Sequence, residues 1–183
     1  MSLKNMDRPK NSFPPETGDG EIVLIVDERN RIVGHQPRSV MRRMNLPHRA
    51  SYILVFDRNG RLFIHRRSRH KDVFPGYYDI AAGGVVKEGE TYRRSAEREL
   101  YEELGIRGVP LIKLFDSYYN DESCRVWGRV YRCEFSGQMT LQKEEVESGC
   151  FMVVDRILKD ATTLPVTPDS LQILQRYVQL LEG

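Results

Sequence analysis

The stretch from Gly84 to Ile106, GVVKEGETYRRSAERELYEELGI, constrains this chain more than any other part of it. At about 100° per residue, Ala96, Leu100 and Leu104 fall on one apolar stripe of a helix, and Glu99, Glu102 and Glu103 fan along its flank. Like charges three and four residues apart repel one another and weaken an isolated helix. Carboxylates at the margin of a core also lose hydration, so the pattern asks for a cation from outside the helix. A hard divalent metal answers it, because magnesium takes oxygen ligands from a few carboxylates and keeps waters for substrate phosphates. A solvated surface helix rich in Glu and Arg would carry the same charge but would not require Gly84 or Glu90.

The rest of the chain is read around that helix. Its 183 residues suffice for one domain, expected over 21–183, after a polar tail over 1–20 that contains Pro and Gly and has no periodicity. A net charge of +2 gives no reason to expect a nucleic-acid or membrane partner. No apolar run approaches the roughly 18 to 20 residues of a spanning helix, and the first residues lack a signal-peptide core, so a cytoplasmic protein is expected. Cys124, Cys133 and Cys150 are odd in number and widely spaced, which suggests reduced, mostly core thiols and no zinc site. A homodimer stays open.

Glu21 to Asp27 and Ile32 to His35 read as a hairpin, and Arg38 to Met44 as a weak basic helical turn. Ser51 to Phe56 and Leu62 to His65 form a second hairpin around Asn59-Gly60, a strong turn signal. The second of these strands runs into a basic cluster, Arg66 to Lys71. Arg66 and Arg67 are its best placed members for gripping phosphate oxygens. Tyr77 to Ala82 reads as a short strand leading into Gly83 and Gly84, where the absence of Cβ lets the backbone approach a metal or phosphate. Leu111 to Tyr119, Val126 to Phe135 and Cys150 to Val154 read as strands. Gly137 to Gly149 is a loop containing Glu144, Glu145 and Glu147. Thr167 and Pro168 open a last helix whose Leu171, Leu174, Val178 and Leu181 follow helical spacing.

Gly84, Glu90, Arg98, Glu99, Leu100, Glu102, Glu103, Gly105 and Ile106 resemble the Nudix box, GX5EX7REUXEEXGU, at every fixed position. The resemblance extends over most of the domain. VDERNRIVG, HRASYILVF, RRS, FPGYYD, AAGGVV and CRVWG are similar to the uncharacterised YfcD-like bacterial subgroup, relatives of type I isopentenyl-diphosphate isomerase. It implies an α+β Nudix fold, an α/β/α sandwich with a mixed sheet between helices. It also implies a magnesium-dependent hydrolase, manganese being able to substitute, that cleaves the diphosphate linkage of a nucleoside diphosphate derivative or similar small molecule. Glu99, Glu102 and Glu103 would be metal ligands, joined by the backbone carbonyl at Gly84. Arg98 and Glu90 would orient them, and the general base would fall on Glu103 or on a later loop acid, for which Glu145 is chosen over Glu144 and Glu147.

Two rival classes are set beside this. In the isomerase reading Ala82 stands where a catalytic cysteine is needed and Gly84 where a histidine ligand is needed. His48 and Glu122 are the partial matches. A methyl group cannot shuttle a proton to an allylic carbon, so hydrolysis ranks above isomerisation; His48 is read as a hydrogen-bonded structural residue. A non-catalytic diphosphate-binding module would be marked by eroded glutamates, and this box is intact.

Overall fold

The computed structural model describes residues 20–183; the expected tail, but for Gly20, lies outside them. β1 (Ile22–Val26) and β2 (Ile32–Pro37) form an antiparallel hairpin, and α1 (Arg38–Arg43) carries the chain to β3 (His48–Phe56). The first hairpin closes on Asp27, which accepts the N–H groups of Arg29 and Arg31, and the second closes on Asp57, which accepts those of Asn59 and Arg61. In each, the arginine four residues on returns to clamp the same aspartate. A side chain that takes up turn amides fixes the loop without help from the core.

β3 is the axis of the molecule. It runs antiparallel to β6 (Ala82–Val85), with Ser51 opposite Gly84, and parallel to β8 (Arg125–Glu134), which pairs antiparallel with β7 (Ile112–Asn120). β4 (Leu62–Arg67) meets β3 only at Phe56–Leu62 and then diverges to pair with β9 (Val146–Met152) and β5 (Tyr78–Asp79). Alternation along β3 sends Ile53 and Val55 to one face and Leu54 and Phe56 to the other. α2 (Tyr92–Leu104) covers the first face with Ala96, Leu100 and Leu104; α4 (Pro168–Glu182) covers the second with Ile173, Leu174 and Tyr177. The result is the expected α+β sandwich, a mixed sheet between helices. Each fully buried leucine contributes about 1.5–3 kcal/mol.

α2 is held at both ends by local chemistry. Thr91 Oγ1 accepts the N–H of Arg94, and Gly105, at φ 71°, donates to the carbonyl of Tyr101. At α4, Thr167 occupies the cap position, yet its hydroxyl pairs with that of Ser170 and leaves the backbone amides alone.

Several boundaries differ from expectation. β3 begins three residues early, and the strand expected over Tyr77 to Ala82 is broken at Ile80 and Ala81 into β5 and β6, whose partners are different strands. β9 begins at Val146, which puts Glu147 on a strand, and a short helix α3 (Val154–Asp160) follows. Cys150 is exposed, because β9 turns most of its side chains outward; Cys124 and Cys133 are buried. Leu181 is also exposed, the inward face of α4 running through Ile173, Leu174 and Tyr177. Among the described residues no helix is long and apolar enough to cross a membrane.

Candidate active site

Helix α2 presents its three glutamates at graded depth. Glu103 lies beside the Leu100–Leu104 stripe and is only 4% exposed, its Oε2 accepting the N–H of Gly83 at 3.1 Å. Burial pushes its carboxyl up to about 8, with Lys71 acting against the rise and Glu99 adding to it. Burial also raises Glu99, against the pull of Arg98. Glu99 lies directly over Gly84, where a Cβ would come within 2.4 Å of its Oε1. Glycine at 84 is therefore the room that the Glu99 carboxylate occupies. Glu102, one turn from Arg98, is exposed.

Arg98 ties these acids together. Its Nε and Nη2 donate to the two oxygens of Glu90 at 2.7 and 3.0 Å, and its Nη1 donates to Glu99 at 2.7 Å and Glu102 at 2.9 Å. Nη2 also reaches the carbonyl of Val85 at 3.3 Å. This is a planar fork used on both edges, which an ammonium cannot reproduce. Arg98→Lys is expected to keep the charge, release Glu99 and Glu102, and lower kcat by about 10- to 100-fold with little change in fold. Steady-state kinetics beside a thermal melt checks it; a variant of native kcat would remove Arg98 from any positioning role.

Across the groove from α2, Lys71 forms an ion pair with Glu145. The segment bearing Glu145 is fastened by backbone bonds from Ser68 N–H to the Glu145 carbonyl at 2.9 Å and from Gln142 N–H to the Glu103 carbonyl at 3.0 Å. Lys71, Gly83, Gly84, Glu99, Glu102 and Glu145 thus line one groove. Glu144 points to solvent, and Glu147, on β9, faces Arg66 at 3.6 Å. Arg66 also donates to the Gly76 carbonyl. Arg67 is held by Asp79 at 2.9 Å and the Val73 carbonyl at 3.0 Å.

A cleft adjoins the groove and shares Arg38, Lys71 and Gly83 to Val85 with it. The cleft has about 640 Å³ of atom-free space, open to solvent, between Arg38 and Arg42 of α1, His48 and Tyr52 of β3, Asp79 and Asp169. His48 is buried, its Nδ1–H donating to the Leu46 carbonyl at 3.0 Å. Burial first, and then Arg42, bring it down to about 3, so it is neutral. Ala82 is buried in the core against α2, and Glu122 is exposed on the turn after β7. Neither position offers the cleft a proton-shuttling group.

Among the described residues no three acidic, histidine or cysteine side chains converge as a ready cage for a metal. The oxygens of Glu99 and Glu102 are turned to Arg98 instead. The residues nevertheless fit a hard divalent cation. Their donors are all carboxylate oxygens, and Glu103 and Glu99 are buried with too little positive charge to keep their carboxyls in the ordinary range.

Lys71, Tyr52, Asp79 and Asp169 were not singled out by sequence reasoning. Lys71 sits within the basic cluster, but its position in the groove depends on Glu145, 74 residues away, and Tyr52 meets Asp169 across 117 residues. Only Asp169, just after the Thr-Pro start of a helix, carried a local mark, and that mark reads as helix chemistry.

The NUDIX domain pattern matches residues 46–176. An uncharacterised Nudix hydrolase of Yersinia pestis is 44% identical over 158 residues, 86% of each chain, and the uncharacterised Nudix hydrolase YfcD of Escherichia coli is 41% identical over 159 residues, 87% of each. Among solved structures, the DR0079 protein of Deinococcus radiodurans superposes with a TM-score of 0.75 at 24% identity, covering 85% of this chain and 98% of that one. The NUDIX domain of Shewanella oneidensis NrtR, solved with ADP ribose, superposes with a TM-score of 0.59 at 18% identity, covering 73% and 87%.

Proposed function

The chain belongs to the Nudix hydrolase family, and from that premise we propose that it is a magnesium-dependent enzyme cleaving the diphosphate linkage of a small nucleoside diphosphate derivative or a similar molecule. Nudix hydrolases act on pyrophosphate bonds and generally use divalent metal cations. The observation that carries the proposal is the under-neutralised pair Glu99 and Glu103 beside Gly83 and Gly84, with Glu99 and Glu102 lining the groove and Glu103 buried just behind it.

Glu99, Glu102 and Glu103 would hold the ion, joined by the Gly84 carbonyl. When bound, it supplies positive charge to the anhydride's non-bridging oxygens and acidifies water beside them. Arg98, anchored by Glu90, orients the glutamates. Lys71 places a second positive charge on the groove wall, opposite α2. Glu145, held by Lys71, is the residue proposed to accept the proton of the attacking water, as a carboxylate on a fixed segment within the groove. Arg67, although largely taken up by Asp79, lines the adjoining cleft and could touch substrate phosphate there. The single domain over 21–183, the cytoplasmic location and the choice of magnesium are parts of the same reading. An NrtR domain that holds ADP ribose in the same fold makes that compound a sensible first substrate.

The test is cleavage of ADP-ribose and other nucleoside diphosphate derivatives by the full chain, with products identified by mass spectrometry, with and without magnesium. Glu102→Gln is expected to lower kcat at least about a hundredfold at nearly unchanged melting temperature, because Glu102 is exposed. Cleavage that needs no divalent cation and ignores Glu102→Gln would overturn the assignment.

A further inference from the structure

We infer that the cleft beside the acidic groove receives the organic part of the diphosphate substrate against Asp169, and that it selects a group bearing N–H or O–H donors over a hydrocarbon. The inference rests on the hydrolase reading for the diphosphate and adds what lies beyond it.

Charged side chains and apolar ones such as Ala50, Phe74 and Val126 line the cleft together, and its charges include both cations and carboxylates. Arg38 and Lys71 belong to both cleft and groove, so these cations are the ones that meet the diphosphate. Among the described residues Arg38 has only distant acidic partners, Glu21 at 3.7 Å and Asp72 at 3.9 Å, and the buried Nε atoms of Arg38 and Arg42 have no hydrogen-bond partner. Also lining the cleft, Asp169 accepts the hydroxyl of Tyr52 at 2.7 Å and the amide of Ser170. A carboxylate offers about four acceptor positions, so two remain. Arg67, whose charge acts on Asp169, is bonded to Asp79 through Nη1 and to the Val73 carbonyl through Nη2, and makes no hydrogen bond to Asp169 among the described residues. Burial, followed by the charge of Asp79, raises the Asp169 carboxyl, the mark of an anion short of donors. Neutral His48 lines the same cleft with its Nδ1–H already placed on Leu46, which leaves Nε2 as an acceptor.

A hydrocarbon covering Asp169 would strip its remaining water and supply no donor in return, a loss that contact with Ala50 or Val126 does not repair. A nucleobase amino edge, an amine or a sugar hydroxyl would supply the missing donors. Sites that hydrogen-bond their ligand reject an analogue lacking the donor strongly.

The experiment is calorimetric binding by the full chain, in calcium and with product formation monitored, of inorganic pyrophosphate, geranyl diphosphate, ADP-ribose and UDP-glucose. At least one donor-bearing probe is expected to bind at least about tenfold tighter than pyrophosphate, and geranyl diphosphate no tighter than pyrophosphate. Asp169→Asn, which keeps an acceptor for Tyr52, is expected to weaken the donor-bearing probe at least about tenfold while pyrophosphate affinity stays native, so a folding defect is visible as loss of both. Tighter binding of geranyl diphosphate, no advantage for either donor-bearing probe, or an Asp169→Asn variant with the native ranking would overturn the inference. Preference without any cleavage in magnesium would leave it standing and remove the hydrolase reading. Cleavage without preference would do the reverse.

Discussion

Glu103→Gln is expected to abolish catalysis while making the cation-free protein more resistant to heat near neutral pH. The two effects have one origin, the burial that lifts the Glu103 carboxyl to about 8. A carboxyl raised above its unfolded value of 4.5 disfavours its charged form in the fold, so stability is greatest below 4.5 and falls as pH rises towards 8. Glutamine keeps an acceptor for the Gly83 amide and has no proton to lose. Its advantage over the native chain is therefore absent near about pH 4 and grows to a few kcal/mol by about pH 8. Melting curves in EDTA across that range would show the native and variant traces diverging upward in pH. Added magnesium should close the gap by stabilising the native chain alone. A variant that is equally destabilised at every pH, or that still turns over substrate, would contradict the burial account and the ligand assignment together.

The second large effect is on folding. Arg67 and Asp79 form an ion pair whose side chains are 16% and 11% exposed, and Asp169 is close enough for the charge of Asp79 to raise its carboxyl further. Burial alone would raise Asp79, but Arg67 holds it below its ordinary value. Arg67→Met leaves two carboxylates in a low-dielectric pocket with no cation bonded to either, at a cost of about 3–5 kcal/mol. The double variant Arg67→Met, Asp79→Leu should regain much of that loss, since what destabilises is the unpaired anion and not the missing bond. Urea unfolding measures both. If Arg67→Met instead melts like the native chain and only raises KM, Arg67 acts chiefly on substrate phosphate.

What could be read from the sequence was what local chemistry decides. Thr91, Gly105 and the Ala96–Leu100–Leu104 stripe specify α2 within twenty residues, and Asp27 and Asp57 specify two hairpins through their own turns. The segment before α2 was read as one strand because Tyr77 to Ala82 is mostly apolar, with Asp79 alone charged; its break reflects two partners, β4 and β3, that only the assembled sheet supplies. β9 was partly missed because VESGCFM lies mostly exposed and shows no alternation. α3 has no side-chain cap to announce it. At the site, the graded burial of Glu99, Glu102 and Glu103 followed from helical geometry, whereas Lys71, Tyr52 and Asp169 meet their partners only through long-range packing. Arg66 and Arg67 looked equivalent in the chain. Their difference is that one lies opposite a buried aspartate and the other opposite Glu147 at the surface.

The parallel alignment of β3 with β8 joins residues roughly eighty positions apart, and α2 lies wholly inside the loop that this pairing closes. Closing so long a loop is entropically costly and slow compared with forming a hairpin or a capped helix. During refolding, the two Asp-closed turns and α2 are expected to form early, and Glu103 gains its buried setting only once α2 has docked on β6 and β3, where it takes the Gly83 amide. The proposed cation site is thus complete only in the packed sheet, and a chain with α2 formed but undocked presents its acids to water as ordinary surface charge.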